Sequence, residues 1–584
     1  MKQVKNNIQI ISLFVFVLLS FSSCENFLNR PTEDNYNVDN FYQNADQCYQ
    51  AVNPIYNSPW YDFQRFFMQG EVMAGNLYGG STNTYATFTV TSSDANLGNA
   101  SASLWSVNAY CNSIIENIDL KASSSVSQEV KNTVKGEALV WKAMAYFYLV
   151  RCFGAVPIVH SNSAMIADGS YNSVYKATIP NIYDYIILTL KQAIEWLPEK
   201  NLSGRLDRYS AYALLAKVYL TKSGYGLSGT RNQEDLDNAA NYAKIVIDQS
   251  GRHLMANYAD IFRLSNNKNE ESLIAWRWVS DPGGSWTCQN SLQSDWGIQG
   301  FDEFNDNWGS WNGPTVDLQD AFGENALTLA PRNDRDARRK ATMMMYGDVY
   351  EYFWRDKGGF DWMKQIATLN PKPDEPSYWC ETGSNCVKNL VGDVADNAAE
   401  GGGTMAPQMN NGLATHLLRL AEVYLIYAEA KIGNAGSTTD ASALEAYNAV
   451  RLRSVPADSP KTSITTSDVW KERRLELAGE GDSWYDYVRR GYYDSQGVID
   501  ELKNQRRSTY TGLLPFYESA YKGGSQTADP NSVYYDKQPT IPDPAVMYDS
   551  KLGSFVFPFP ATDVVSNPNL LKDPVDQDVS QYKY

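Results

Sequence analysis

Histidine is scarce in this sequence, and so are the short motifs that mark common enzyme classes. The chain has 584 residues but only three histidines, His160, His253 and His416, which are widely spaced. A histidine-built metal site or catalytic triad is therefore not expected. Neither G-x-S-x-G nor H-E-x-x-H occurs, and the G-x-G-x-x-G match at 224–229 follows a helical pattern where a dinucleotide site needs a strand. These absences predict that the protein is not an enzyme.

Positive charge is also in short supply. The 50 lysines and arginines are outnumbered by 67 aspartates and glutamates, which gives a net charge of -17. Residues 1–23 contain two lysines and no acidic residue, so without them the net charge is -19. This balance argues against nucleic acid or an anionic lipid surface as a partner.

The chain has no long apolar run after its first residues, which have the layout of an export signal. Lys2 and Lys5 precede an apolar stretch over 8–21, which is followed by two serines and Cys24. A cysteine after two small residues fits a lipoprotein signal, in which Cys24 is acylated and becomes the first residue of the mature protein. Acyl chains would hold a soluble domain on a membrane. The alternative is a plain secreted protein in which Cys24 is incidental.

Six cysteines follow Cys24, and an exported protein can pair them. Cys380 and Cys386 are close enough in sequence to close a small disulfide loop. Cys111 and Cys152 lie in helical patterns and are predicted to be buried thiols.

Helical periodicity dominates the rest of the chain, with apolar residues recurring at spacings of three and four. The stretches with this pattern are 134–153, 181–197, 209–222, 236–249, 415–432, 441–453 and 468–489. Strand signals are few and short, with the best at 85–91 and 555–559, and Trp276 and Trp278 alternate like a short strand.

Several helical stretches resemble one another. "LLAKVYLTKSG" (214–224) and "RLAEVYLIYAE" (419–429) align Ala216 with Ala421, and each alanine is followed three residues later by a tyrosine. Small residues let paired helices approach while large ones fill the neighbouring groove, a pattern typical of tetratricopeptide-like repeats. We therefore predict a mostly α fold, in which irregular tetratricopeptide-like helix pairs form a superhelical scaffold with long loop-rich insertions and few short strands.

One domain is predicted after the signal of residues 1–23. It comprises an N-terminal helical part (24–278), a loop-rich insertion (279–412) and a C-terminal helical part (413–584). The insertion is rich in Gly, Asn, Asp and Trp and is the candidate ligand face, because function concentrates on loops that a rigid scaffold positions.

Five segments in this order resemble the landmark segments of the SusD/RagB family of Bacteroidetes, and the start "CENFLNRPTEDNY" resembles that family's start. The segments are "GEALVWKAMAYFYLVRCFGAVPIV" (136–159), "GRLDRYSAYALLAKVYL" (204–220), "LLRLAEVYLIYAEA" (417–430), "WKERRLELAGEGDSWYDYVRRG" (470–491) and "FPFPATDVVSNPNL" (557–570). Ser483 stands where the family usually has Arg, and the ending lacks the usual Gln-Asn, both in the scaffold. The resemblance implies an outer-membrane surface lipoprotein that binds glycans, or in some cases peptides, as a lid on a SusC-type TonB-dependent transporter.

Four tryptophans, Trp286, Trp296, Trp308 and Trp311, lie among polar residues and glycines, with no apolar period to explain them. Sugar rings stack their C–H faces on aromatic faces while amides, acids and arginine bind the hydroxyls. The four tryptophans are therefore predicted to contact a glycan. The alternative is that they pin a long loop onto the helices.

A second aromatic cluster lies near the N-terminus of the mature chain. Trp60, Tyr61 and Tyr78, with Asp62 and Arg65, are predicted to form the opposite wall of the ligand site. The alternative is a place in the core.

An acidic cluster in the insertion is the one candidate for a metal. Asp302, Glu303, Asn305 and Asp306 could ligate calcium but lack the ordered spacing of a dedicated loop. No other cofactor is predicted.

Glycan capture for a transporter is the preferred function. The alternatives are a peptide-capturing lid of the RagB type, with its tryptophans packed into the scaffold, and a structural adaptor that binds a partner protein and no small ligand. The adaptor leaves the tryptophan-rich loop without a role.

Overall fold

The computed structural model describes residues 41–80, 82–280, 290–301, 307, 309–329, 332, 334–369, 379–403, 411–536 and 542–584. Its α-helices are α1 Ala45–Val52, α2 Tyr61–Met73, α3 Ala95–Lys121, α4 Gln128–Phe153, α5 Asn162–Asp168, α6 Ile179–Trp196, α7 Arg208–Lys222, α8 Gln233–Gln249, α9 Leu292–Trp296, α10 Val316–Phe322, α11 Ala337–Thr342, α12 Trp362–Leu369, α13 Val394–Ala399, α14 Leu420–Ile432, α15 Ala441–Ser454, α16 Thr466–Leu477, α17 Ser483–Asn504, α18 Leu513–Tyr521 and α19 Ala561–Ser566.

The strands are short and pair two by two. They are β1 Ser272–Trp276, β2 Met343–Met345, β3 Val349–Tyr350, β4 Phe360–Asp361, β5 Ser384–Cys386, β6 Thr415–Arg419, β7 Ser437–Thr438, β8 Ile464–Thr465, β9 Tyr510–Thr511, β10 Tyr534–Tyr535, β11 Tyr548–Asp549 and β12 Ser554–Phe555. The antiparallel pairs are β1 with β6, β2 with β5, β3 with β4, β7 with β8, β9 with β10 and β11 with β12.

The long helices pack in a row, α2 on α3, α3 on α4, α4 on α6, and onward through α7, α8, α14 and α15. Their starts are set by local chemistry: the Asp94 side chain accepts from the Leu97 N–H at the start of α3, and Asp207 with Ser210 forms a capping box on α7. The predicted mostly helical scaffold of tetratricopeptide-like pairs is confirmed.

The repeated alanine and tyrosine positions explain how neighbouring helices fit. Ala216 and Ala421 are fully buried, which lets the helices approach. The Tyr219 ring stacks on Tyr242 of the next helix, with centroids 5.7 Å apart and an interplanar angle of 12°. The small residue thus sits at the contact and the large one fills the space beside it.

Three local predictions are wrong. Residues 415–419 form strand β6, not the first turns of a helix, because β1 supplies hydrogen-bond partners. The predicted helix over 468–489 is two helices, α16 and α17, separated by a turn in which Gly479 and Gly481 adopt left-handed backbone angles. Residues 85–88 form turns and residues 89–91 have no regular structure, so no strand is present there, and Phe88 has a positive φ of 60°.

The insertion carries a core of its own. Its apolar side chains, such as Phe301, Met344 and Trp362, belong to a second buried cluster, distinct from the main core of the helix row. Part of this cluster comes from α18, which lies far along the chain. The insertion is thus fixed by packing from its own residues and from the C-terminal part.

The described cysteines are unpaired thiols, so Cys380 and Cys386 do not form the disulfide loop that their spacing allows, while the prediction of buried thiols at Cys111 and Cys152 is confirmed. In the described part of the chain, no helix is long and apolar enough to cross a membrane.

Candidate ligand-binding surface

The tryptophan-rich insertion folds back onto the segment that follows helix α2. The Tyr78 N–H donates to the Gly313 carbonyl oxygen (2.8 Å), and the Thr315 N–H donates to the Asn76 carbonyl oxygen (2.9 Å). An isolated antiparallel β-bridge joins the two segments between these bonds. The two regions expected to wall the ligand site are therefore in direct contact.

Trp311 ends a short 3₁₀ turn, Gly309–Trp311, and 49% of the residue is exposed. Thirteen of the 15 tryptophans lie in described residues, and among those Trp311 alone is exposed. Its backbone is fixed, because its carbonyl oxygen accepts a hydrogen bond from the Cys380 thiol (3.1 Å). The indole ring is therefore accessible for stacking, while the backbone that carries it is held in place.

Glycines beside the tryptophans allow close backbone approach. A Cβ atom on Gly309 would lie 2.2 Å from the Asp295 carbonyl oxygen, and one on Gly313 would lie 2.0 Å from the Ser384 carbonyl oxygen. Only glycine fits at both places. This is why the segment mixes its largest and smallest side chains.

The Tyr78 backbone lies against the segment that follows Trp311, since its N–H donates to Gly313, two residues beyond the tryptophan. Tyr78 is half-buried. Burial raises the pKa of the Tyr78 hydroxyl, and the nearby Cys380, Glu381 and Asp536 groups raise it further. The hydroxyl therefore stays protonated and can both donate and accept a hydrogen bond.

A charged pair joins α2 to the insertion. The Arg65 Nε atom lies 3.5 Å from the Asp295 Oδ2 atom, and the Arg65 side chain is 45% exposed. Asp62, one turn earlier on α2, is half-buried; burial raises its pKa while the Arg65 guanidinium lowers it in part. Arg65 thus presents N–H donors at the surface beside two carboxylates.

The exposed Trp311 ring and the polar groups of Tyr78, Arg65, Asp62 and Asp295 suit a polyhydroxylated ligand better than an apolar one. The exposed indole offers a flat face, and the tyrosine, guanidinium and carboxylate groups on the neighbouring segments offer donors and acceptors. Uncharged hydroxyls can hydrogen-bond to such groups without the cost of burying a charge of their own.

Two comparisons with protein families cover most of the chain. Residues 256–575 match the SusD family, and residues 19–220 match a family described as starch-binding and associating with the outer membrane. A SusD-like protein of Bacteroides ovatus is 33% identical over 570 residues, which cover 95% of this chain and 96% of the relative.

The chain belongs to the SusD family.

Solved structures of similar proteins agree with this family assignment. A crystal structure with a xylogluco-oligosaccharide is 29% identical, covers 91% of this chain and 99% of its own, and superimposes with a TM-score of 0.74. A laminarin-binding SusD-like protein, 23% identical with a TM-score of 0.60, covers 79% of this chain and 94% of its own and shares the fold. The resemblance read from the landmark segments is confirmed.

Two predicted platforms of this SusD-family protein are corrected by its structure. Trp60 has no exposed surface; its ring packs on Trp141 and Trp276, and its Nε1–H donates to the Ile55 carbonyl oxygen (2.8 Å). Trp296 is 2% exposed and belongs to the main core. Neither ring has a face that a sugar can reach in this structure.

Other predicted residues lie outside the described part of the chain. They are Trp286, Trp308, the lipidation residue Cys24 and the acidic cluster Asp302, Glu303, Asn305 and Asp306. Within the described residues, no group of three or more His, Cys, Asp or Glu side chains is placed to hold a metal ion.

Residues from the C-terminal part were missed by the sequence reasoning. Asp536 follows strand β10 and its carboxylate lies near Tyr78, while Tyr534 on the same strand is 48% exposed. Nothing in the sequence linked residue 78 to residue 536, because only the folded chain brings the two together. The one signal in the sequence was Tyr534, an aromatic residue in a polar stretch.

Proposed function

We propose that this SusD-family protein is a cell-surface glycan-binding lipoprotein without catalytic activity. It captures an oligo- or polysaccharide and delivers it to a SusC-type TonB-dependent transporter. Acyl chains on Cys24 hold it on the outer membrane, facing the exterior. The xylogluco-oligosaccharide in a structure 29% identical to this chain supports the ligand class.

The exposed Trp311 ring on a fixed backbone carries the proposal. Tyr78, Arg65 and Asp295 lie on the segments that contact the Trp311 turn, so a sugar stacked on the indole meets hydrogen-bonding groups at its rim. Trp286 and Trp308 are proposed as further platforms of the same loop. Asp62 is proposed as an acceptor for hydroxyls.

The expected affinity is modest. Stacking contributes about 1–3 kcal/mol per ring where it has been measured for bases, and sugars have less surface to stack. Two or three platforms with a few hydrogen bonds give roughly 5–6 kcal/mol, a dissociation constant of roughly 0.1 mM. Weak binding suits a protein that must release its ligand to a transporter.

Affinity gel electrophoresis of the protein lacking residues 1–24 tests the ligand class. Native gels containing different polysaccharides are run with wild type, Trp311→Ala, and Tyr171→Ala as the control, since Tyr171 is an exposed aromatic residue elsewhere. Retardation of wild type and Tyr171→Ala by one polysaccharide, lost in Trp311→Ala, supports the proposal. Free migration of the wild type in every gel rejects glycan binding.

Peptide capture is the alternative that one observation favours. Trp60 and Trp296 pack into the scaffold, as expected for a peptide-binding lid. That function leaves the exposure of Trp311 unexplained. Calorimetric titration with a casein digest distinguishes the two, because a peptide-binding protein releases heat with the digest and shows no retardation in polysaccharide gels.

The anchor and the partner need separate tests. Wild-type cells are expected to incorporate labelled palmitate into the protein, and Cys24→Ala cells are not. Surface protease treatment of intact cells should cleave the wild-type protein. Co-purification of a SusC-type barrel in detergent with the wild type tests the partnership.

A further inference from the structure

A recess of about 310 Å³ lies beside the segment that leads into helix α2. Its walls come from residues 53–57, the connection of α6 to α7, the loop before β1 and the residues just after β1. The volume is at the lower end of the roughly 300–1,000 Å³ typical of small-molecule sites. It is about ten times the roughly 30 Å³ share of one water, so it has room for more than a small inorganic ion.

Three cationic side chains line this recess, namely Arg205, Lys268 and Arg277. The positive charge of Arg205 is neutralised, because its Nε and Nη2 atoms donate to the two carboxylate oxygens of Glu137 at 2.8 and 2.6 Å. Its third nitrogen donates to the Asn53 side-chain oxygen (2.7 Å). Arg205 is thus a structural part of the wall.

Arg277 and Lys268 are different. The Arg277 guanidinium donates to the carbonyl oxygens of Gly204 and Asn267 and to the Ser272 hydroxyl. In the described part of the chain, neither Arg277 nor Lys268 has a carboxylate within ion-pair distance. Burial, with the nearby Arg252, lowers the pKa of Arg277 to about 10, so the group remains charged at neutral pH.

The positive charges of Arg277 and Lys268 in this recess cost free energy when no anion is bound. A partly buried guanidinium satisfied only by neutral oxygens keeps a net charge in a poorly solvated place. In a chain with a net charge of -17, two cations without a carboxylate partner in one recess are unusual. A ligand carboxylate would supply the missing charge, and the Arg277 fork suits its two oxygens.

We propose that the recess binds the carboxylate of an acidic sugar residue, a uronate, within a glycan chain; this inference rests on the proposed glycan-binding function. Arg277 and Lys268 bind the carboxylate. Asn53 and Ser203 are exposed at the rim and bind hydroxyls. Trp278, almost fully buried, gives the floor an apolar edge.

The recess lies close along the chain to helix α2. Asn57, which lines the recess, donates from its side-chain amide to the Arg277 carbonyl oxygen (2.9 Å). Four residues later Tyr61 begins α2, which carries Arg65.

Isothermal titration of the protein lacking residues 1–24 tests this with matched ligands. The acidic probes are tetragalacturonate and a glucuronate-bearing xylo-oligosaccharide, and each is compared with its carboxyl-reduced neutral form. The variants are Lys268→Gln, Arg277→Lys, and Lys551→Gln as the control, since Lys551 is an exposed lysine in the β11–β12 hairpin. Melting temperatures verify that each variant folds.

Wild type is expected to bind at least one acidic probe about fivefold or more tightly than its reduced form, the upper end for one exposed ion pair. This preference should shrink in 0.5 M NaCl because salt screens exposed charges. Lys268→Gln should lose most of the preference, Arg277→Lys should lose part of it, and Lys551→Gln should keep it.

Three results overturn the inference. The first is equal binding, or no binding, of each acidic probe and its reduced form. The second is a preference unchanged in both Lys268→Gln and Arg277→Lys. The third is complete displacement of the acidic probe by 5 mM inorganic sulfate, which identifies a site for free anions.

Failure of the inference and failure of the proposed function are distinguishable. Neutral and acidic forms that bind equally, with binding lost in Trp311→Ala, leave glycan capture in place and remove the uronate site. An acidic preference that depends on Lys268, with an affinity that is the same in wild type and Trp311→Ala, supports the uronate site and removes the Trp311 platform.

Discussion

The Arg65 guanidinium and the Asp295 carboxylate join helix α2 to the insertion, with 3.5 Å between Nε and Oδ2. The two residues are 230 positions apart, yet they lie on the surface that carries Trp311. Arg65 is 45% exposed and Asp295 is almost buried. The pair therefore combines a structural contact with donors that remain accessible to a ligand.

Replacing Arg65 with alanine should weaken glycan binding more than it weakens folding. An exposed ion pair contributes about 0.2–1 kcal/mol to stability, whereas the variant also loses the guanidinium donors at the proposed sugar site. We expect a several-fold rise in the dissociation constant. Arg335→Ala, which removes another exposed arginine paired with Asp458, is the control. Equal affinity in wild type and Arg65→Ala would remove Arg65 from the site.

Replacing Glu476 with glutamine should strongly destabilise the fold. Glu476 is fully buried and its carboxylate lies 2.5 Å from Arg453, 3.1 Å from Arg419 and 3.2 Å from Arg338. Removing this charge takes away a carboxylate shared by three buried guanidinium groups, which keep only their partners Glu271, Glu480, Asp336 and Glu472. Breaking a buried pair costs up to about 3–5 kcal/mol. Urea unfolding at pH 7 measures the loss. Glu501→Gln, which alters an exposed pair with Arg490, should cost under about 1 kcal/mol, and a similar loss in both variants would contradict the expectation.

His416 should make the protein sensitive to mild acid. Its Nε2 atom donates to the Ile261 carbonyl oxygen (3.1 Å) and its Nδ1 atom lies 3.1 Å from the Ser272 hydroxyl. Burial, with Arg277 and Arg419 nearby, lowers its pKa to about 3, while an unfolded histidine titrates near 6.5. Below pH 6.5 the unfolded chain takes up the proton and the folded chain does not, so stability falls as pH falls toward 3.

The loss attributable to His416 between pH 6.5 and pH 4.5 is about 2–3 kcal/mol. Unfolding in urea at both pH values measures it. His416→Gln should flatten the pH dependence, whereas His253→Gln, at an exposed histidine, should not. Identical pH dependence in wild type and His416→Gln would contradict this account.

The five described cysteines should resist thiol reagents in the folded protein. All are buried and unpaired, and burial raises the pKa of Cys111 and Cys152 to about 12. Because the thiolate is the reactive form, at least five thiols should react with Ellman's reagent only after unfolding. The melting temperature should be the same with and without dithiothreitol. A lower melting temperature in the reducing agent would reveal a disulfide.

The helical scaffold could be predicted because its signal is local. Apolar spacing, repeated alanine and tyrosine positions and the landmark segments are all visible in short windows. The wrong predictions involve distant partners: residues 415–419 become a strand only because residues 272–276 pair with them. Residues 85–91 have strand-like composition but form no strand.

The ligand surface could be predicted only in part. Trp296 and Trp311 have the same kind of polar and glycine-rich neighbours, yet one is 2% and the other 49% exposed. Gly479, in the turn between α16 and α17, packs against the Trp296 ring. A Cβ atom built on Gly479 would lie 3.5 Å from the Trp296 Cζ3 atom. That packing depends on the whole fold, so no local pattern separates the two rings.

Among the described residues, the hydrogen bonds that hold the Trp311 turn are made by backbone atoms of Trp311 and Gly313. The side chain at position 311 can therefore be exchanged during evolution while the turn that carries it stays in place. A descendant protein with tyrosine, histidine or a small residue at position 311 would keep the fold of the turn and change its ligand specificity. Glycines 309 and 313 do not have this freedom, so across divergent copies of this gene we expect them to vary less than the ring they support.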